Sequence, residues 1–421
     1  MKHAIFKPGD ILLPKNADMN KFCVVACDQY TSEPAYWDAV RAYVKDVSSA
    51  LHLIFPEADF KAANFNMKIQ SINKTMEQYL NENLFDTYYD ALIYTERTLR
   101  NGMVRRGLIG CVDLEEYDYN KGAQSPIRAT EGTVLERIPP RVKIRENAPL
   151  ELPHIMLLID DRSKSVIEPL SGEKNAFRKL YDFDLMQNSG HLDGWLLDEN
   201  AKVHVLHMLE QLADPDAFAQ RYGVQDYPVL QYAVGDGNHS LATAKRCYID
   251  LKERIGEAAL SHPARYALVE LVNLHDESLV FEAIHRVLFG VSPERVRTAL
   301  AKAYTLSEHD VPGAQRIDIV KGDDTLTIYV QNPEKNLAVG SLQDFIDAYI
   351  KENGGEVDYI HGEQVVRELS KKPDAIGFLL KPMEKNDLFK TVILDGALPR
   401  KTFSMGEACD KRFYCEARKI R

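Results

Sequence analysis

Tryptophan is scarce, with two residues in 421, and the six cysteines (Cys23, Cys27, Cys111, Cys247, Cys409 and Cys415) include no C-x-x-C pair. That spacing excludes paired-thiolate zinc sites and thioredoxin-like redox motifs. No apolar leader is read over residues 1–14, so free thiols in a reducing cytoplasmic setting are expected. Long hydrophobic runs are missing too. "IMLLI" at residues 155–159 is far shorter than the ~18 residues a membrane-spanning helix needs, so no membrane role is expected. Basic excess is absent: 52 Lys and Arg against 63 Asp and Glu give a net charge of -11, which argues against a general nucleic-acid surface. Only the tail from Arg400 to Arg421 is locally rich in lysine and arginine. No H-E-x-x-H, no G-x-S-x-G elbow and no Walker A loop occurs. Their absence counts against zinc proteases of that type, α/β-hydrolases and P-loop nucleotidases.

What is present is an ordinary globular composition, 45% hydrophobic and 27% charged, without repeats or low-complexity stretches. The length exceeds what one core sustains, so two lobes are expected. The element pattern reads as α/β or α+β, with mixed sheets, hairpins and crossover helices. A division into residues 1–148, 149–290 and 291–421 follows the shifts in composition. "FCVVAC" (22–27) reads as a strand covered on both faces, delivering Asp28 and Tyr30 at its carboxyl end. Helices are expected after Ser32, near residues 69–80 and over 199–212, 240–253 and 293–303. Hairpins are expected around Asn101-Gly102 and within "RIDIVKGDDTLTIYV". Residues 121–148, rich in Gly, Pro and Arg, read as a long ordered loop whose Arg128, Arg137, Arg141 and Arg145 face a groove or solvent.

The densest chemistry lies in "AVGDGNHSLATAK", residues 233–245, a strand, a tight turn and a helix in succession. Such a junction leaves free N–H groups and partial positive charge at the helix start, which suits an anion. Gly235 and Gly237 fit G-x-G, but Ser240 replaces the third glycine of a dinucleotide loop, and Asp236 and His239 stand where that loop is inert. An aspartate beside a bound anion repels it unless a cation intervenes or the aspartate is a base. Helix capping accounts for Asp236 or Asn238 but leaves His239 unexplained. A second histidine stretch, "HDESLVFEAIHRV", places His285 on the same strand face as Leu279, Phe281 and Ala283, with Arg286 opposite. A core histidine bonded to a nearby backbone group explains it equally well.

Six segments in order, "ACDQYTSEP", "IRATEGTVLERIPPR", "HIMLLIDD", "VGDGNHSLATAK", "LVNLHDESLVFEAIHRVL" and "LPRKTFSMGEA", resemble the bacterial family called domain of unknown function 1015 over nearly the whole chain. The family pattern D-G-H-H-R-Y departs here at Asn238 and Ser240 and is kept at Asp236, Gly237 and His239. The resemblance also picks out the His285-Arg286 pair and Lys401 before an aromatic residue. Over about a dozen residues, the D-G-x-H core is similar to a loop of ParB, sulfiredoxin and free-serine kinases that handles nucleotide phosphates. There a basic residue follows the histidine; Ser240 cannot fill that role, so Lys245, Arg128 or Lys401 would have to.

These readings converge on a protein for a small anionic or phosphorylated molecule, with nucleotide-dependent phosphoryl transfer the leading activity. Asp236 is expected as general base or magnesium ligand and His239 as acid or phosphate donor, with His285 a further catalytic candidate. Gly237 and Asn238 would let the backbone approach the ligand; Asp28, Tyr30, Arg128, Glu131, Arg286 and Lys401 are the other binding candidates. The cofactor expected is magnesium with a nucleotide. A non-catalytic anion or nucleotide sensor and a metal-assisted hydrolase remain the alternatives, and a homodimer is the base-rate expectation.

Overall fold

The computed structural model describes residues 4–421 and is a mixed α/β structure whose chain forms two compact units. The first comprises the chain up to Ala129, Thr133–Leu279 and Glu407–Arg421; the second comprises Thr130–Gly132 and Val280–Gly406.

A ten-stranded sheet organises the first unit. From its edge it runs Arg178–Asp184, His191–Leu196, Ile93–Thr98, Val104–Asp113, Tyr266–Asn273, Met156–Ile159, Tyr232–Asp236, Ile127–Ala129 and Tyr117–Asp118. Phe6–Lys7 pairs beside Val104–Asp113. Met156–Ile159 runs parallel to Tyr266–Asn273 and antiparallel to Tyr232–Asp236. The antiparallel pairing sets Met156 opposite Asp236, so the residues just before Met156 lie beside the turn after Tyr232–Asp236. "FCVVAC" is covered on both faces as its composition requires, with Val24 and Val25 fully buried. Its partner is the remote strand Phe413–Tyr414 rather than the large sheet.

Local chemistry explains several boundaries. In the loop between Ile93–Thr98 and Val104–Asp113, Gly102 takes φ +82° while the Asn101 side chain accepts the Met103 N–H, so one residue of the Asn-Gly pair is left-handed, not two. The segment 121–148 is more regular than a loop: it holds the sheet strand Ile127–Ala129 and the helix Ile138–Arg145. Pro139 and Pro140 begin that helix, where a missing N–H costs no bond. The helix Asn238–Ile255 buries Leu241, Ala242, Ala244 and Tyr248. Fully burying large apolar side chains such as Leu241 contributes about 1.5–3 kcal/mol each.

The second unit is built on a seven-stranded sheet in the order Leu306–Ser307, Asp324–Val330, Gln315–Lys321, Ala375–Leu379, Phe281–Phe289, Glu356–His361, with Phe403–Met405 beside the start of Phe281–Phe289. Helices Pro293–Ala303, Ala338–Asn353, Glu363–Ser370 and Lys385–Asp395 alternate with these strands. Among the described residues, no helix is long and apolar enough to cross a membrane, and the six cysteines carry no disulfide.

Candidate functional site

The strand Tyr232–Asp236 ends on its carboxylate, and Gly237 then turns the chain at φ +79° into the 18-residue helix Asn238–Ile255. A Cβ on Gly237 would lie 3.0 Å from the Ile155 Cα, so the position needs glycine for both its dihedral and its space. No side chain caps this helix. Asp236 does not cap it: its Oδ1 accepts the Gly237 N–H at 3.0 Å and its Oδ2 lies 3.4 Å from Lys411 Nζ. The Asn238 Oδ1 and His239 Nε2 atoms are buried without a partner. Burial, helped by the Arg141 and Arg137 charges, pushes His239 down to about 4, so the imidazole is neutral at pH 7. As a neutral ring it is a hydrogen-bonding group and not a cation.

His154, just before the strand Met156–Ile159, lies behind this turn and is 4% exposed. Its Nδ1 is 2.6 Å from the Tyr414 hydroxyl, and its Nε2 is 3.2 Å from Ser240 Oγ and 3.7 Å from Asp28 Oδ2. Tyr414 Oη accepts the Cys27 N–H at 3.1 Å as well as facing His154 Nδ1, while His154 Nε2 faces Ser240 and Asp28. Burial would raise the Asp28 carboxyl, but His154, the Gln29 amide and Lys411 together hold it below the ordinary range. Burial and the Asp28 charge push the Cys27 thiol up to about 12, so it stays protonated and is a poor nucleophile.

Beside the first turn of Asn238–Ile255, a cavity of about 140 Å³ is lined by Ser240, Thr243, His154, Tyr414 and Cys27 on its polar side. Arg141 pairs with Glu57, and Arg145 with Glu151, in the same wall. Burial raises the Glu57 carboxyl despite the Arg141 partner, with the Asp28 charge acting in the same direction.

Of the residues picked from sequence, Asp236, Gly237, Asn238 and His239 form the turn, and Asp28 reaches it electrostatically through His154, Lys411 and His239. Tyr30 follows Asp28 with φ +52°, its ring stacked 3.7 Å from that of Tyr36. Arg128 is 4% exposed and gives its guanidinium to the carbonyls of Ser125, Pro228 and Val229, a structural clamp rather than a ligand arm. Lys245 donates to the Leu114 carbonyl at 2.7 Å. The second unit holds Glu131, His285, Arg286 and Lys401. There Glu131 bridges to Leu398, and Lys401 is exposed with φ +54°. His285 Nδ1 accepts the Leu380 N–H at 3.2 Å, and Arg286 donates to Gln343 Oε1 and the carbonyls of Ile284 and Arg400. Tyr414, Lys411 and Glu57 carry no motif; His154 and Arg141 lie in segments that carry the family resemblance, and only Arg141 has an expected place, facing a groove or solvent. The pairing of Val24–Val25 with Phe413–Tyr414 and of Met156 with Asp236 brings Tyr414 and His154 to the turn, and the packing of Ile138–Arg145 on Asn238–Ile255 brings Arg141.

Among the described residues, Asp182, His191 and Asp193 form one group compact enough for a metal ion. Lys179 already pairs with both carboxylates, so an ammonium on an edge hairpin offsets part of the charge a metal ion would need.

Residues 8–369 match the model of the family described as protein of unknown function (DUF1015), and the chain belongs to that family. No curated protein matches it. A solved free serine kinase in complex with AMP aligns over 74% of this chain and 90% of its own, at 12% identity and TM-score 0.37. SbnI with C-terminal truncation, from Staphylococcus aureus, aligns over 73% and 85% at 11% identity and TM-score 0.36. A conserved hypothetical protein from Pyrococcus furiosus aligns over 74% and 94% at 9% identity and TM-score 0.35.

Proposed function

We propose that this DUF1015 protein is an enzyme for a small anionic or phosphorylated metabolite, transferring a phosphoryl group at the Asp236-Gly237-Asn238-His239 turn. One observation carries the reading: an uncapped helix start leaves buried polar atoms of Asn238 and His239 unpartnered, while charged groups gather around it. Buried polar atoms are normally paired, so a ligand that donates a hydroxyl or N–H to Asn238 Oδ1 and bonds His239 Nε2 would supply what these two atoms lack, alongside an anion at the helix start.

In this reading, the phosphoryl oxygens take the backbone N–H groups at the start of Asn238–Ile255, where the helix dipole favours negative charge. Gly237 lets the backbone approach closely. The neutral His239 offers hydrogen bonds through Nε2, and Lys411 offsets charge beside Asp236. Asp236 accepts the proton of an incoming hydroxyl as the hydroxyl oxygen bonds to the transferred phosphorus and the bond to the nucleotide's bridging oxygen breaks, releasing the shortened nucleotide. Asp28 with Tyr414 fixes His154 against Ser240. Asp28 and Asp236 supply the hard oxygen donors that suit magnesium, and a nucleotide's magnesium held there would add charge neutralisation.

The test is a thermal-shift panel of nucleotides and phosphorylated small molecules with and without magnesium, followed by turnover assays on each hit. The expected result is phosphate-dependent stabilisation with turnover, and a loss of about 100- to 10,000-fold in rate for Asp236→Asn with binding retained. Stabilisation without turnover, unchanged in Asp236→Asn, would establish a sensor instead.

A further inference from the structure

The cavity beside the turn says more about the ligand than the turn does. Its volume of about 140 Å³ is close to that of an engineered apolar cavity, about 150 Å³, that takes up benzene. Much of its lining is apolar: Leu53, Ile54, Phe55, Phe60, Met76 and Ile144 come from three separate segments of the first unit. Phe60 packs edge-on against Phe55, with ring centroids 5.5 Å apart, and the Arg141 guanidinium lies 5.4 Å from the Phe60 centroid. These contacts pack Phe55, Phe60 and Arg141 against one another in the lining.

The charges in the wall cancel. Glu57 faces Arg141 and Glu151 faces Arg145, so each acid already has its base. A ligand portion seated there meets no net charge, and a charged group would have to break one of those pairs after losing its water. The polar side behaves differently. Ser240, His154 and Tyr414 line the cavity and form one hydrogen-bonded chain leading to the turn, with His154 and Tyr414 both more than nine-tenths buried. A molecule filling the cavity therefore meets both hydrogen-bonding side chains and hydrocarbon in its lining.

We infer that the ligand is amphipathic: a phosphate, or the hydroxyl that receives one, joined to an uncharged apolar body of about six carbon atoms seated among Phe55, Phe60, Met76 and Ile144. This inference rests on the phosphate reading of the turn. It selects against polyhydroxylated and dicarboxylic acceptors, whose polar groups would be left unpaired against the apolar wall.

Phenyl phosphate and inorganic phosphate form a direct probe pair, measured by calorimetry on the full-length chain. Phenyl phosphate is expected to bind at least about tenfold more tightly than inorganic phosphate, from the apolar area buried. Narrowing the cavity by Ala148→Leu, or by Leu152→Phe should the first variant unfold, is expected to bring the ratio of the two dissociation constants close to one. Equal binding of both probes to the wild type overturns the apolar-body inference and leaves the phosphate reading intact. Binding of phenol with no binding of either phosphate overturns the phosphate reading and leaves the cavity assignment standing. No binding of any of the three overturns both.

Discussion

The chain carries two histidines that sequence patterns bring forward together, His239 after a strand and His285 within one, and their fates differ. Burial is the first cause acting on each, and it lowers both from the ordinary imidazole value. By that measure the two are alike. The partners separate them: His285 Nδ1 receives the Leu380 N–H, whereas His239 Nε2 is buried with none. Their neighbours follow the same division. Arg286, 0% exposed, places its guanidinium over Tyr359 and against Gln343 and two carbonyls, while Asn238 keeps a buried oxygen without a donor. The direction of titration therefore does not separate the two histidines; their hydrogen-bond partners do.

The comparison predicts opposite consequences for truncation. Arg286→Ala removes three side-chain hydrogen bonds and leaves a large void, so the second unit is expected to lose about 3–5 kcal/mol, read from the urea unfolding transition. Phosphate binding at the turn should be unchanged. A variant that keeps its stability but loses phosphate binding would reverse the assignment of roles. Gly237→Ala comes next in size. It forces a Cβ into left-handed backbone and within 3.0 Å of the Ile155 Cα, at a cost of about 1–2 kcal/mol, with phosphate protection lost as well. Full phosphate protection in this variant would show that close backbone approach is not what the glycine is for.

How much of this was legible beforehand divides along the same line. The helix Glu199–Leu212 is readable to the residue because Asp198 caps it through the Ala201 N–H, and Pro293–Ala303 because Ser292 and Pro293 announce it. The helix–strand–helix–strand–helix order from Ala338–Asn353 to Lys385–Asp395 follows from periodicity alone. Arg178–Asp184 is a weak strand signal, since this edge strand carries charges on both faces and its apolar alternation is confined to Tyr181 and Phe183. The turn announced itself by residue type, but its surroundings did not. Tyr414 reaches His154 only because two two-residue strands nearly four hundred positions apart pair with each other, and no local pattern encodes that. Arg128 illustrates the converse: an arginine in a Gly- and Pro-rich segment resembles a ligand arm until its carbonyl partners are known.

The smallest effect expected at pH 7 is also the one that distinguishes the two histidines most finely. His239 titrates at about 4 in the folded protein, against about 6.5 when unfolded. Between those values, the unfolded chain binds a proton that the native state refuses, so stability is complete above pH 6.5 and declines as the pH falls toward 4. His239→Gln removes this slope while changing stability at pH 7 by only about 0.5 kcal/mol, so urea midpoints that lie close together at pH 7 should separate on acidification, the wild type falling below the variant. His285→Gln flattens the acid slope in the same direction, because that imidazole is also held low by burial. Saturating inorganic phosphate separates them. An anion at the helix start favours the protonated His239 and should shrink the acid loss of the wild type and of His285→Gln, yet leave His239→Gln unaffected. If phosphate alters the acid slope of His239→Gln as much as that of the wild type, the anion binds somewhere other than beside this imidazole, and the contrast between the two histidines loses its functional meaning.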